Sequence, residues 1–198
     1  LKKGDVFSFN VCYWGSNICR AGWVAEDEND LPLEARDYIN DFAGPYFEAM
    51  TDWFSKMRIG IVGDTLHKAI YDILPFEKFG IFLNAGHLIH LDEWVSSPIY
   101  EGSEIPIQSG MMFQVDVIPS STVYGSTRME DGIVIADEEL RSALKHKHPE
   151  CYKRCQNRRD FMIDILGIDL PEEILPLSNI PAIVPPWFLS PKKILMWK

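Results

Sequence analysis

A mixed helix-and-strand (α+β) fold is what the sequence predicts, on three observations. The segment 4–24, GDVFSFNVCYWGSNICRAGWV, reads as two strands around a tight turn at Trp14-Gly15-Ser16. The segments 33–57 and 64–74 place apolar residues at helical spacing. Strand-like segments then follow at 80–94, 109–120 and 126–136, each with isolated polar residues among apolar neighbours.

The elements follow in chain order. An acidic, turn-rich stretch, EDENDLP at 26–32, reads as a solvated loop. The helical segment 33–57 should break or kink at Gly44-Pro45, where proline removes a donor and crowds the preceding turn. Asp64 stands where an N-cap of the next helix is expected. In the strand-like segments, 80–94 carries His87 and His90, 109–120 carries Asp116, and 126–136 carries Arg128, Glu130 and Asp131 ahead of Ile133-Val134-Ile135. Helices are expected again at 137–144 and 149–167. Beyond these, prolines at 171, 176, 181, 185, 186 and 191 exclude a regular helix or a central strand. The division expected is therefore a body over 1–167 and a proline-rich tail, 168–198, whose Ile, Leu, Trp and Phe pack along it.

Composition narrows the setting. A chain of 198 residues, 46% hydrophobic, can bury one core and is short for two domains. An aromatic content of 12% excludes general disorder. A formal charge of −10 argues against nucleic acid as a partner. No apolar run reaches membrane-spanning length, so no membrane partner is expected. Four cysteines without a secretory signal read as reduced thiols in a cytoplasmic setting. The numbering opens on Leu1, and the reading expects a fragment of a longer product.

The polar insertions fall into an order. GDVFSFN ends on Asn10, SNICR contains Asn17, AGHLIHL contains His87, GMMFQVD ends on Asp116, and TRMEDGIVI contains Glu130. These five pieces resemble, in the same order, the metal-ligand segments of the pita-bread hydrolases: aminopeptidase P, prolidase, methionine aminopeptidase and creatinase. The resemblance covers positions 3 to about 144. It implies a curved antiparallel sheet backed by helices around a cleft, with the first part of that fold lying before Leu1. It also implies that Asn10, Asn17, His87, Asp116 and Glu130 stand at ligand positions, and that Trp14, His90, Trp94 and Arg128 line a substrate pocket. The prolidase branch further suggests a homodimer.

The departures from the family pattern bear on chemistry. In the family, two aspartates, a histidine and two glutamates hold two divalent ions. Here two of those carboxylates are Asn10 and Asn17, so Asp116 and Glu130 balance one dication, and amide oxygens are weaker ligands for a hard cation. Asp116 stands where a glutamate is usual and draws its oxygens back by roughly 1.5 Å, against a coordination tolerance of about 0.2 Å. The turn between Asn10 and Asn17 is shorter than in the family, and Trp94 lies near the place of a substrate histidine. The expectation is a degenerate centre holding no cofactor or one weakly bound Mn, Co or Zn ion, in a cleft that takes a small peptide-like or amidino ligand. The alternatives are a hydrolase of C–N bonds working with one ion or, as in creatinase, with none, and a protein-interaction module.

Other readings attach to the same residues. Asp116 and Glu130 can instead join a salt-bridge network with Arg20 and Arg128. Strand parity places Cys12 beside Asn10 and Cys19 beside Asn17, all facing the cavity, either as inert buried thiols or, with His87, as a soft zinc-type site. Both thiols should then resist labelling, and Cys151 and Cys155, on a basic helix, should react first. HKHPECYKRC, 146–155, has two histidines and two cysteines, but crowding by Lys and Arg and the absence of a zinc-module spacing argue against a metal there.

Overall fold

Alternation from Val6 to Trp23 builds a hairpin of β1 (Val6–Tyr13) and β2 (Ser16–Trp23), paired antiparallel in the register Val6↔Trp23 through Tyr13↔Ser16. The computed structural model describes residues 1–13, 16–81, 83–89 and 96–198. Phe7 and Phe9 share one face of β1 and meet the ring of Phe188 at centroid distances of 5.4 and 6.0 Å. Ser8, Asn10 and Cys12 share the other face and are exposed. β2 also pairs with β5 (Arg128–Glu130), so a three-stranded sheet runs β1-β2-β5.

A second antiparallel sheet has the order β3-β4-β6-β7, from His87–Leu88, Met112–Gln114, Gly132–Ile135 and Ile174–Pro176. The segments 80–94 and 109–120 are thus strand only in part among the described residues, and Asp116 lies two residues past the end of β4. β5 and β6 are separated by Asp131 alone, so the chain crosses from one sheet to the other there, and Val115 N–H donates to the Asp131 carbonyl at 2.9 Å. The strand of the tail, β7, carries Pro176 and occupies an edge, where a missing donor costs no ladder bond.

The helical layer follows the apolar stripe. A π-helical turn, Ile39–Ala43, runs directly into α1 (Gly44–Lys56), with Gly44 N–H reaching back to Ile39 O. The expected break at Gly44-Pro45 is therefore absorbed as a π turn, which sets Pro45 in the first turn of α1, where its missing N–H leaves no bond unmade. Tyr38, Phe42, Tyr46, Met50, Trp53 and Phe54 are buried along this stripe, packing with Leu66 and Ile70 of α2 (Gly63–Tyr71) and with Phe113, Val115, Met129 and Ile133 of the sheets. Trp53 Nε1 donates to Ala85 O at 2.9 Å, which ties α1 to the residues just ahead of His87. Asp64 is not the N-cap of α2: that position is Val62, and Asp64, the second residue of the helix, accepts Gly102 N–H at 2.7 Å and pairs with Lys68.

A short helix, α3 (Phe76–Phe79), precedes the second sheet, and α4 (Glu138–Lys147) and α5 (Pro149–Asp160) follow β6. A π-helical turn, Phe161–Ile165, extends α5. The tail then returns to the hairpin. Phe188 N–H donates to Trp23 O and Leu189 N–H to Ala25 O, while Trp23 N–H donates to Pro186 O. Gly22 permits this approach, because a Cβ there would stand 2.7 Å from Pro185 O. Among the described residues, no helix is long and apolar enough to cross a membrane.

Candidate functional site

The seam between the two sheets brings three of the sequence-derived positions together. His87, Asp116 and Glu130 are all buried, and one ligand atom from each lies within 4.8 Å of the others. Each is placed by a different element: His87 opens β3, Asp116 follows β4, and Glu130 closes β5. The pairings His87↔Gln114, Gln114↔Gly132 and Cys19↔Glu130 set this arrangement through backbone register.

The histidine has a defined tautomer. Its Nδ1 lies 3.0 Å from Leu88 O, and because a carbonyl only accepts, Nδ1 carries the proton. Nε2, 3.9 Å from Asp116 Oδ2, is then the ring's lone-pair nitrogen in the neutral form. A nitrogen donor and two carboxylates are an acceptor set for a cation.

Glu130 is held by amides rather than by arginine. Asn17 Nδ2 donates to Glu130 Oε1 at 2.8 Å, and Gln114 Nε2 donates to the same oxygen at 3.3 Å and to Asn17 O at 2.7 Å. Hydrogen bonds from neutral donors to a carboxylate contribute about 1.5–3 kcal/mol each, which makes this a firm clamp on a buried charge. The other ends of both amides, Asn17 Oδ1 and Gln114 Oε1, are buried and accept no bond among the described residues.

The expected network of Asp116 and Glu130 with Arg20 and Arg128 is corrected here. Arg20 is 1% exposed and pairs with Asp131, its NH2 lying 2.8 Å from both carboxylate oxygens. It also donates to Cys19 O, Glu130 O and Ile180 O, and Ala182 N–H donates to Asp131 Oδ2. This pair lies directly behind Cys19 and Glu130 and locks the tail to the seam. Arg128 donates from Nε and NH2 to Cys19 Sγ, at 2.9 and 2.6 Å.

The remaining positions divide. Asn10 faces Cys19 across the hairpin and is exposed. Trp14, His90 and Trp94 lie outside the described residues. Parity holds for Cys12 and Cys19, which pair with Asn17 and Asn10 and so share the Asn face. The expected common burial does not: Cys12 is exposed and Cys19 is buried, because β1 is the uncovered edge of its sheet. Burial pushes the Cys19 thiol up, against the pull of Arg128. Cys155, expected to be activated, is also buried and pushed up, first by desolvation and then by Cys151. Neither the soft site of Cys12, Cys19 and His87 nor a group in 146–155 assembles among the described residues.

Sequence reasoning missed Gln114, the Arg20–Asp131 pair and the Arg128–Cys19 contact. A signal existed for the first, since Gln114 interrupts an apolar run two residues before Asp116. None existed for the other two, which join residues more than a hundred positions apart.

No protein-family model matches the chain, and no curated protein does. Solved structures do. The X-Pro aminopeptidase from Thermotoga maritima aligns at 18% identity and a TM-score of 0.53, over 70% of this chain and 39% of that one. The Xaa-Pro dipeptidase from Bacillus anthracis aligns at 20% and 0.52, over 71% and 39%. The prolidase from Pyrococcus horikoshii aligns at 19% and 0.52, over 69% and 39%. The fold of this chain is therefore the pita-bread fold of the prolidases, an antiparallel sheet backed by helices. The chain spans about two fifths of the length of the solved chains it matches.

Proposed function

We propose that this chain is a prolidase-like protein whose cleft holds a single cation at His87, Asp116 and Glu130 and uses it to bind a small peptide-like or amidino ligand, without the two-ion chemistry of the peptidases it resembles. The observation that carries this reading is the state of Glu130. Two amide donors occupy its Oε1, and one ligand atom each of Glu130, Asp116 and His87 lies within 4.8 Å of the others. Two carboxylates balance one dication, and Asn17 Oδ1, which accepts no bond among the described residues, is a further hard oxygen.

When bound, a divalent ion there would supply Lewis acidity to a carbonyl and lower the pKa of its bound water. The protein's own part is orientation: the Leu88 carbonyl holds the histidine tautomer, and Asn17 and Gln114 hold Glu130. Asn10, exposed and uncharged, gives a second ion little to bind.

Titration calorimetry with Mn, Co and Zn tests this directly. The expected result is one weak site per chain, abolished by His87→Ala, with no metal-dependent cleavage of Xaa-Pro peptides at enzymatic rates. Two tight sites per chain, or brisk cleavage, would overturn it.

A further inference from the structure

On one face of the three-stranded sheet, Cys19 stands directly opposite Glu130. Arg128 precedes Glu130 by two residues on β5, which puts both side chains on that same face. A guanidinium beside a buried carboxylate on one strand face has an obvious partner, since contact between opposite charges at low effective dielectric is strongly favourable. Arg128 does not take it. Its Nε and NH2 both go to Cys19 Sγ, and among the described residues no ion pair joins Arg128 to Glu130 or Asp116. Glu130 meanwhile takes two neutral amides.

The sulfur is a tether. Cys19 is fully buried, and both of the nitrogens that Arg128 commits reach its Sγ, so this contact sets the direction of the half-buried guanidinium. A guanidinium keeps its charge at any ordinary pH.

We infer that Cys19 is a positioning residue: its sulfur holds the Arg128 guanidinium away from Glu130, so that a cation site and a fixed positive group stand side by side on one sheet. The ligand class that matches such a surface carries a carboxylate, or another anionic oxygen, a few ångströms from the group that meets the cation. Without the tether, Arg128 would fold onto Glu130 and neutralise the site from within. The functional consequence rests on the single-cation reading above, whereas the tether itself does not.

Two measurements on the full chain separate them. The first is the side-chain Nε–H resonance of Arg128 by ¹⁵N NMR, without metal. Bound to a buried sulfur, it should be observable and slow to exchange, retained in Cys19→Ser, which keeps an acceptor, and shifted or lost in Cys19→Ala. The second is Mn²⁺ affinity by calorimetry. Cys19→Ala should weaken it by at least about tenfold and by up to about a thousandfold, the upper figure being the scale of one guanidinium brought into contact with a carboxylate at an effective dielectric near 20. Cys19→Ser should stay close to the unmodified protein, and Cys19→Ala with Arg128→Gln should recover the loss. An Arg128 resonance and a Mn²⁺ affinity both indifferent to Cys19→Ala would overturn the inference. Absence of Mn²⁺ binding in the unmodified protein would instead sink the single-cation reading, and the resonance alone would then decide the tether.

Discussion

Removing the carboxylate of Asp131 strikes the most heavily buried charge pair among the described residues. Arg20 is 1% and Asp131 2% exposed, and NH2 of the arginine lies 2.8 Å from both oxygens. Asp131→Ala would leave the guanidinium in place with only the carbonyls of Cys19, Glu130 and Ile180 around it, and would strip Ala182 N–H of its acceptor. Breaking a buried pair from one side costs about 3–5 kcal/mol, because a charge remains without its counter-ion. For a chain of this size that corresponds to a melting temperature lower by roughly 10 °C. Urea unfolding followed by tryptophan fluorescence measures it. Asp131→Asn, which keeps one oxygen for Ala182 or Arg20, should lose distinctly less than Ala. A loss below about 1 kcal/mol for Asp131→Ala would show that Arg20 finds water or another partner, and the description of a dry, locked seam would fail.

Two further outcomes are expected. Thiol labelling followed by mass spectrometry should modify exposed Cys12 first and half-buried Cys151 next, with Cys19 and Cys155 last, since both are buried and pushed up by desolvation; fast labelling of Cys19 would contradict its packing. Asp137 caps α4 by accepting Leu140 N–H at 2.8 Å, and that bond, with one from Ser109, holds its carboxyl below the usual range. A depressed carboxylate stabilises fully above its unfolded pKa and loses that contribution as pH falls through its folded value. The stability gap between the unmodified protein and Asp137→Ala should therefore be widest at neutral pH and close in acid; a gap independent of pH would refute the capping role.

Much of the fold was legible in the sequence because it is written in local period. The β1–β2 hairpin follows from the strand-like pattern of 4–24, and the 38–54 stripe follows from helical spacing. The π turn before Pro45 was not legible, since it depends on how the stripe must rotate to keep Phe42 and Tyr46 in one core. Asp64 misled because its side chain satisfies Gly102 from a distant loop, and distance in sequence carries no local mark.

The site divides in the same way. The sequence by itself determined which chemical groups are present, namely His87, Asp116, Glu130, Asn10 and Asn17, and, for those on strands, which face they project from. It could do so because side-chain direction in a strand alternates with position, and formal charge belongs to each residue alone. Only the tertiary structure decided who pairs with whom. Glu130 goes to Asn17 and Gln114, Arg20 to Asp131, and Arg128 to Cys19. Each of those choices is made by strand register and by desolvation at the junction of the two sheets, where a charge must take the nearest available partner. That partner is supplied by another part of the chain, so no local reading of the sequence contains it.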